Sequence, residues 1–249
     1  MNLTQEMILI LIFKKIEEDY GMDGLCDVTN PYVKNTAKFD TSEIQANLHK
    51  IFTKLQQTFC ENSTRKRKEK KDINNERSFI KEKRKDLILL NDLDPTFPRC
   101  NVQTYPMMLY GNIIREKELV KSLDFCFGDL DIINYGIQII PAKTKIPASK
   151  QNYAGFLICY LALNGENSYL LDFDIEKKQY MKYELKTKSF LMHPSTSVIS
   201  FENESNKDLI LLRVDIKNVL NGTNAIINNI MIKIFESHGS VTEACYKSS

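Results

Sequence analysis

Lys188–Ile216 reads KSFLMHPSTSVISFENESNKDLILLRVDI. Its apolar runs, SFLMHP, SVISFEN and KDLILLRVDI, are short and rich in β-branched and aromatic residues, with Pro, Ser and Asn between them. Runs of this kind, bounded by such residues, are strands joined by turns. The same rhythm extends towards the N-terminus through YGIQIIPA, AGFLICYLALNG, NSYLLDFDI and KQYMKYELK. Its breaks fall at Pro141, Pro147, Gly165, Lys177-Lys178 and Pro194. Many short strands at regular intervals predict a sandwich or barrel over residues 113–249. TNAIINNIMIKIFES, near the end, reads as a last strand or two short pieces.

Upstream the pattern changes. Residues 1–60 read as helical. In DTSEIQANLHKIFTKLQQTF the apolar positions Ile44, Leu48, Ile51, Phe52, Leu55 and Phe59 follow helical spacing behind a capping Asp40, Thr41 or Ser42. His49 falls between the turns and reads as a surface residue. Residues 61–112 read as a basic linker that carries a short motif. From Arg65 to Lys85 there are eleven Lys or Arg against four Asp or Glu. Clustered cations of this kind, Arg65, Lys66, Arg67, Lys68, Lys70 and Lys71 foremost, either form a solvated face or attract nucleic acid whatever its sequence. The stretch DPTFPRCNVQTYPMMLYGN then combines three prolines with Phe97, Tyr105, Met107, Met108, Leu109 and Tyr110. Its prolines predict extended backbone rather than a packed element. So much apolar surface has to lie against something, either the chain's own domain or a partner.

With 249 residues and 43% apolar content, the chain is long enough to bury a core of one or two domains. Net charge is only +2, so the basic character is local. Cys26, Cys60, Cys100, Cys126, Cys159 and Cys245 form no C-x-x-C pair and read as scattered reduced thiols rather than a zinc or redox motif. MILILIF near the start is too short for a membrane span, lacks the flanks of a signal peptide and reads as a buried helix segment. A soluble, intracellular protein with no membrane partner is expected.

The opening stretch resembles the second motif of the cupins, the double-stranded β-helix family. That motif runs Gly, five residues, Pro, one, Gly, two, His, three, Asn. Pro194 and Asn203 match its Pro and Asn at the right separation. Lys188 and Thr196 stand in place of the glycines, and Ile199 stands where the metal-binding His would be. His193 neighbours the proline and is not at the ligand position. After Gly136, where the first motif would supply two His and a Glu, the chain reads IQIIPAKTKIPASKQ. The resemblance implies a mainly β, cupin-like C-terminal barrel preceded by a helical segment and a basic linker. It implies no metal, no cofactor and no catalytic residue, because the usual positions cannot assemble a ligand set.

A metal-free cupin behind a basic linker resembles the C-terminal region of the centromere protein C family. FCFGDLDIINYGIQIIPAKTK is similar to the opening of that family's barrel, and KSFLMHPSTSVISFEN to its later strands. PRCNVQTYPMMLYGN is similar to its nucleosome-binding motif, with Arg99, Pro106, Leu109 and Tyr110 in the corresponding places. It departs in having one arginine where the family has several, and the chain has no Trp. The resemblance implies a nuclear, centromeric scaffold in which Arg99 enters an acidic histone surface. Tyr110 would pack on the histone tail, and the basic linker would hold DNA. The barrel would form a homodimer, and the N-terminal helices would meet other kinetochore proteins. Apolar strands such as AGFLICYLAL and KDLILLRV, longer than one barrel face normally exposes, suggest that a second copy covers them.

Two other classes are compatible with these residues. One is a metal-independent cupin enzyme of the sugar-epimerase kind, using Tyr160, Tyr169, Tyr183 or His193 for acid-base chemistry. The other is a plain ligand-binding or oligomerising barrel. A lumen filled with apolar side chains favours the scaffold, and convergent titratable groups around an open pocket favour the enzyme.

Overall fold

A computed structural model describes residues 41–60, 87–89, 102–149, 155–174, 177–220 and 223–237. The first element is helix α1, Thr41–Phe59. The strands follow as β1 Ile88–Leu89, β2 Gln103–Leu109 and β3 Asn112–Ile113, then helix α2, Lys117–Phe127. Next come β4 Ile132–Ile140, β5 Thr144–Ser149, β6 Phe156–Ala162, β7 Ser168–Asp174 and β8 Gln179–Glu184. β9 Phe190–Pro194, β10 Ile199–Asn203, β11 Leu209–Lys217 and helix α3, Thr223–Glu236, complete the order. The strands pair antiparallel in two sheets. The larger runs β1-β2-β4-β11-β6-β9 with β3 on β2, and the smaller runs β5-β10-β7-β8. The mainly β, cupin-like fold that the resemblance implies is present as two antiparallel sheets, and the strands read from YGIQIIPA through KDLILLRVDI are there within a few residues.

Period-two alternation divides the core in two. On β6, Ile158, Tyr160 and Ala162 turn to the inside, where they pack with Leu170, Ile199, Phe201 and Leu211. Leu157, Cys159 and Leu161 turn outwards, as do Ile210, Leu212, Val214 and Ile216 of β11. That outer face is not open. α1 covers it with Leu48, Phe52, Leu55 and Phe59, and α2 with Leu119, Val120 and Leu123, in a single cluster. Gln56 Nε2 donates to the Leu163 carbonyl at 3.2 Å, and the Lys188 ammonium lies 5.1 Å from the Phe52 ring centroid. The apolar surplus that suggested a second copy is therefore buried inside one chain, by the helix whose spacing was legible upstream. Burial pushes the thiols of Cys126 and Cys159 above the usual range, so both behave as core residues. Among the described residues no helix is long and apolar enough to cross a membrane.

Three segments differ from the sequence reading. TNAIINNIMIKIFES is not a strand but α3, whose Ile227, Met231 and Phe235 recur every four residues and bury one face against Ile133 and Phe156. Its isoleucine-rich composition signals β, but its spacing is helical. FCF does not open the barrel; it ends α2, where Gly128 (φ 59°) closes the helix and its N–H reaches the Asp124 carbonyl at 3.1 Å. Finally, 103–109 is a packed element after all. β2 is buried from Thr104 to Leu109 and pairs with β4. A proline is admitted there because Pro106 stands opposite Gly136, beside a register shift between Pro106 and Met108. The sheet thus begins well before Ile113. MILILIF, the basic run from Arg65 to Lys71 and Arg99 lie outside the described residues.

Candidate functional site: the barrel interior

Cross-strand register brings the chemistry of the interior together. Arg213 of β11 stands opposite Gly136 and Tyr160, and Asp215 stands opposite Asn134 and Ile158. Ile158 in turn faces His193 of β9. Asn134, Asp215, Ile158 and His193 therefore form one row across four strands, with Arg213 and Tyr160 in the next. Gly136 allows the close approach of β2; a Cβ there would lie 3.1 Å from Thr104 Cγ2.

The Arg213 guanidinium and Asp215 carboxylate form a two-pronged pair, Nε to Oδ1 at 2.6 Å and Nη2 to Oδ2 at 3.1 Å. Both side chains are almost fully buried. Asn134 Nδ2 donates to Asp215 Oδ2 at 2.9 Å, and Asn134 Oδ1 accepts the Tyr110 N–H at 2.9 Å. Charge, amide and backbone are thus joined in a chain that runs from the interior to the β2–β3 turn. There Tyr110 (φ 48°) and Gly111 (φ 79°) make the tight two-residue connection that antiparallel strands favour.

His193 is buried. Its Nδ1 lies 2.8 Å from the Pro194 carbonyl, which fixes Nδ1–H as the donor, and its ring stacks on Tyr160 with centroids 5.6 Å apart. Nε2 has no hydrogen-bond partner. Burial pushes the His193 pKa down to about 4, and the Arg213 charge adds to this, against the raising effect of the Pro194 carbonyl and Asp215. A histidine whose folded pKa lies below its unfolded value stabilises the fold above pH ~6.5 and loses that contribution as pH falls towards 4. About 3 kcal/mol is at stake, at 1.36 kcal/mol per unit. Denaturant titrations at pH 7 and pH 4.5 should show this loss in the wild type and a smaller loss in His193→Phe. Equal losses in the two proteins would assign the pH dependence to other groups.

At the opposite end of the interior lies the residue that the cupin spacing singled out. Asn203 is buried. Its Nδ2 reaches the carbonyls of Ile140 (3.0 Å), Pro141 (3.0 Å) and Lys207 (2.9 Å). Its Oδ1 accepts from Ser168 Oγ (3.0 Å) and from the Ser205 N–H (3.1 Å). Ile199, at the position of the metal-binding His, is buried in the apolar interior with Phe201 and Leu170. Among the described residues no three His, Cys, Asp or Glu side chains stand close enough to hold a metal ion.

The residues singled out from sequence separate as follows. Of the four acid-base candidates, Tyr160 and His193 come together. Tyr169 is on the outer face of the small sheet, its ring 3.7 Å from the Lys182 ammonium, and Tyr183 is exposed on β8. Of the nucleosome-binding candidates, Pro106 and Leu109 are buried within β2 and serve the sheet, while Tyr110 is half-buried at the turn. Arg213, Asp215 and Asn134 were missed. Their signal was two charges spaced i, i+2 inside the apolar run LILLRVDI, which puts both on one face of a strand.

No family model matches the chain, and no curated protein matches it. Solved structures do. The Cnp3 cupin domain of Schizosaccharomyces pombe is 9% identical, with TM-score 0.35, covering 59% of this chain and 77% of its own. A CENP-C of Drosophila melanogaster, solved bound to CAL1, is 12% identical, with TM-score 0.32, covering 48% and 78%. A predicted oxalate decarboxylase of Thermotoga maritima is 16% identical, with TM-score 0.30, covering 47% and 80%.

Proposed function

We propose that the chain is a non-catalytic scaffold of centromeric chromatin in the nucleus, similar in kind to centromere protein C. The barrel would bring two copies together, and the N-terminal region would meet other kinetochore proteins. The observation that carries the non-catalytic reading is the filled interior. Ile199, which stands at the position of the metal-binding His, packs with Phe201, Leu170, Ile158 and Leu211 in one apolar cluster. His193 in the interior is held neutral down to about pH 4, far from the poise that a general base needs near neutrality. The centromeric part rests on the sequence resemblance.

In this reading Arg65, Lys66, Arg67, Lys68, Lys70 and Lys71 attract nucleosomal DNA. Arg99 is the charged anchor on the histone surface and Tyr110 the apolar one. Pro106 and Leu109 hold the strand that ends at Tyr110. The test is a pull-down of the purified chain with reconstituted nucleosomes, canonical against centromeric, followed by titration of variants. Arg99→Ala is expected to weaken nucleosome binding more than tenfold and leave the melting temperature unchanged. Lys→Ala changes in RKRKEKK should weaken binding to any DNA and flatten its salt dependence. If Arg99→Ala binds as the wild type does, the site assignment fails.

A further inference from the structure

β8 is the edge of the small sheet. β7 pairs with it along its whole length, from Tyr169↔Glu184 to Asp174↔Gln179, without a bulge, and no described strand lies on its other side. The Leu185 N–H bonds to the Ser168 carbonyl at 2.7 Å, one step beyond that ladder. Hydrogen-bonded pairs recur at every second residue of an antiparallel ladder. Gln179, Met181 and Tyr183 therefore turn their backbone groups towards β7, and Tyr180, Lys182 and Glu184 turn theirs outwards. The strand is exposed, Tyr180 at 47% and Tyr183 at 39%, and it carries none of the prolines or bulges that blunt an edge.

We propose that a second copy of the chain docks on this edge, β8 against β8, about a two-fold axis at Met181, so that the two small sheets become one. The proposal rests on the homodimeric scaffold reading and names its surface. An isologous antiparallel pair must match the strand to itself. Centring it on Met181 sets Tyr180 against Lys182 and Lys178 against Glu184, each twice. Every one of these residues has the phase that points its backbone outwards. Centring on Lys182 opposes two lysines, and centring on Tyr180 sets Lys178 against Lys182. Opposite charges across a ladder stabilise and like charges destabilise, so complementarity selects the Met181 register.

The axis gives a direct test on the full chain. Met181 falls at a pair without mutual hydrogen bonds, whose Cα atoms lie about 4.5 Å apart, within reach of a disulfide. Met181→Cys is expected to give a covalent dimer on mild oxidation, absent from the wild type and from Glu184→Cys, whose copies lie far apart across the axis. In light scattering the wild type should have twice the chain mass at tens of micromolar. Lys178→Glu should weaken the dimer at least tenfold, and Lys178→Glu/Glu184→Lys should restore it. A wild-type dimer in which Met181→Cys does not cross-link and Lys178→Glu has no effect overturns the surface and leaves the scaffold reading intact. A monomeric wild type overturns both.

Discussion

Asn203→Ala lowers the unfolding free energy by about 4 kcal/mol, because it strands several buried polar groups at once. At roughly 2–4 °C per kcal/mol for a chain of this size, the melting temperature falls by about 10 °C. The side chain bonds to Ile140 at the end of β4 and Pro141 just after it, to Ser168 at the start of β7 and to the loop after β10. It ties the large sheet to the small one at the corner where the chain crosses between them. Alanine fits the space but removes both the donor and the acceptor. Asn203→Asp separates the two roles. It keeps the accepting oxygen and turns the other oxygen, as a carboxylate, towards three carbonyls. At neutral pH it should be at least as damaging as alanine. The carbonyls raise that carboxyl's folded pKa, so stability should partly return as pH falls and the proton is taken up. Thermal and urea unfolding followed by circular dichroism measure both. A change of less than about 1 kcal/mol in Asn203→Ala would mean that water replaces the side chain at this corner.

Asn203 also shows why part of the molecule was legible in the sequence. Its place is set by a fixed distance from Pro194 along the chain, from the end of β9 to the end of β10, and spacing along a chain is what a sequence displays. The strands from β6 to β11 were legible for a related reason, since apolar runs between turn residues report themselves locally. What was hidden depended on partners far away. Pro106 argues against a strand until Gly136 is seen opposite it. The long apolar runs of β6 and β11 point to a second copy as their cover, but α1, carried on a distant segment, covers them instead. α3 was read by composition when its four-residue spacing was the better guide. Arg213 and Asp215 are paired inside by the register against β4 and β6, which the sequence does not display.

That buried pair yields the second large effect. Arg213→Met leaves the Asp215 carboxylate in the interior with only the Asn134 amide beside it, and is expected to cost about 3–5 kcal/mol. Asp215→Leu removes the carboxylate that both prongs of the guanidinium contact and should cost a similar amount. The double variant, Arg213→Met/Asp215→Leu, should be close to the wild type. Two buried charges have then been exchanged for apolar groups of similar volume in an interior already lined by Ile158 and Leu211. The Asn134 amide loses one acceptor in that variant but keeps its bond to the Tyr110 N–H, so the β2–β3 turn should stay in place. If Arg213→Met/Asp215→Leu is as unstable as the two single changes added together, the pair is not coupled, and each residue stabilises the interior through contacts of its own.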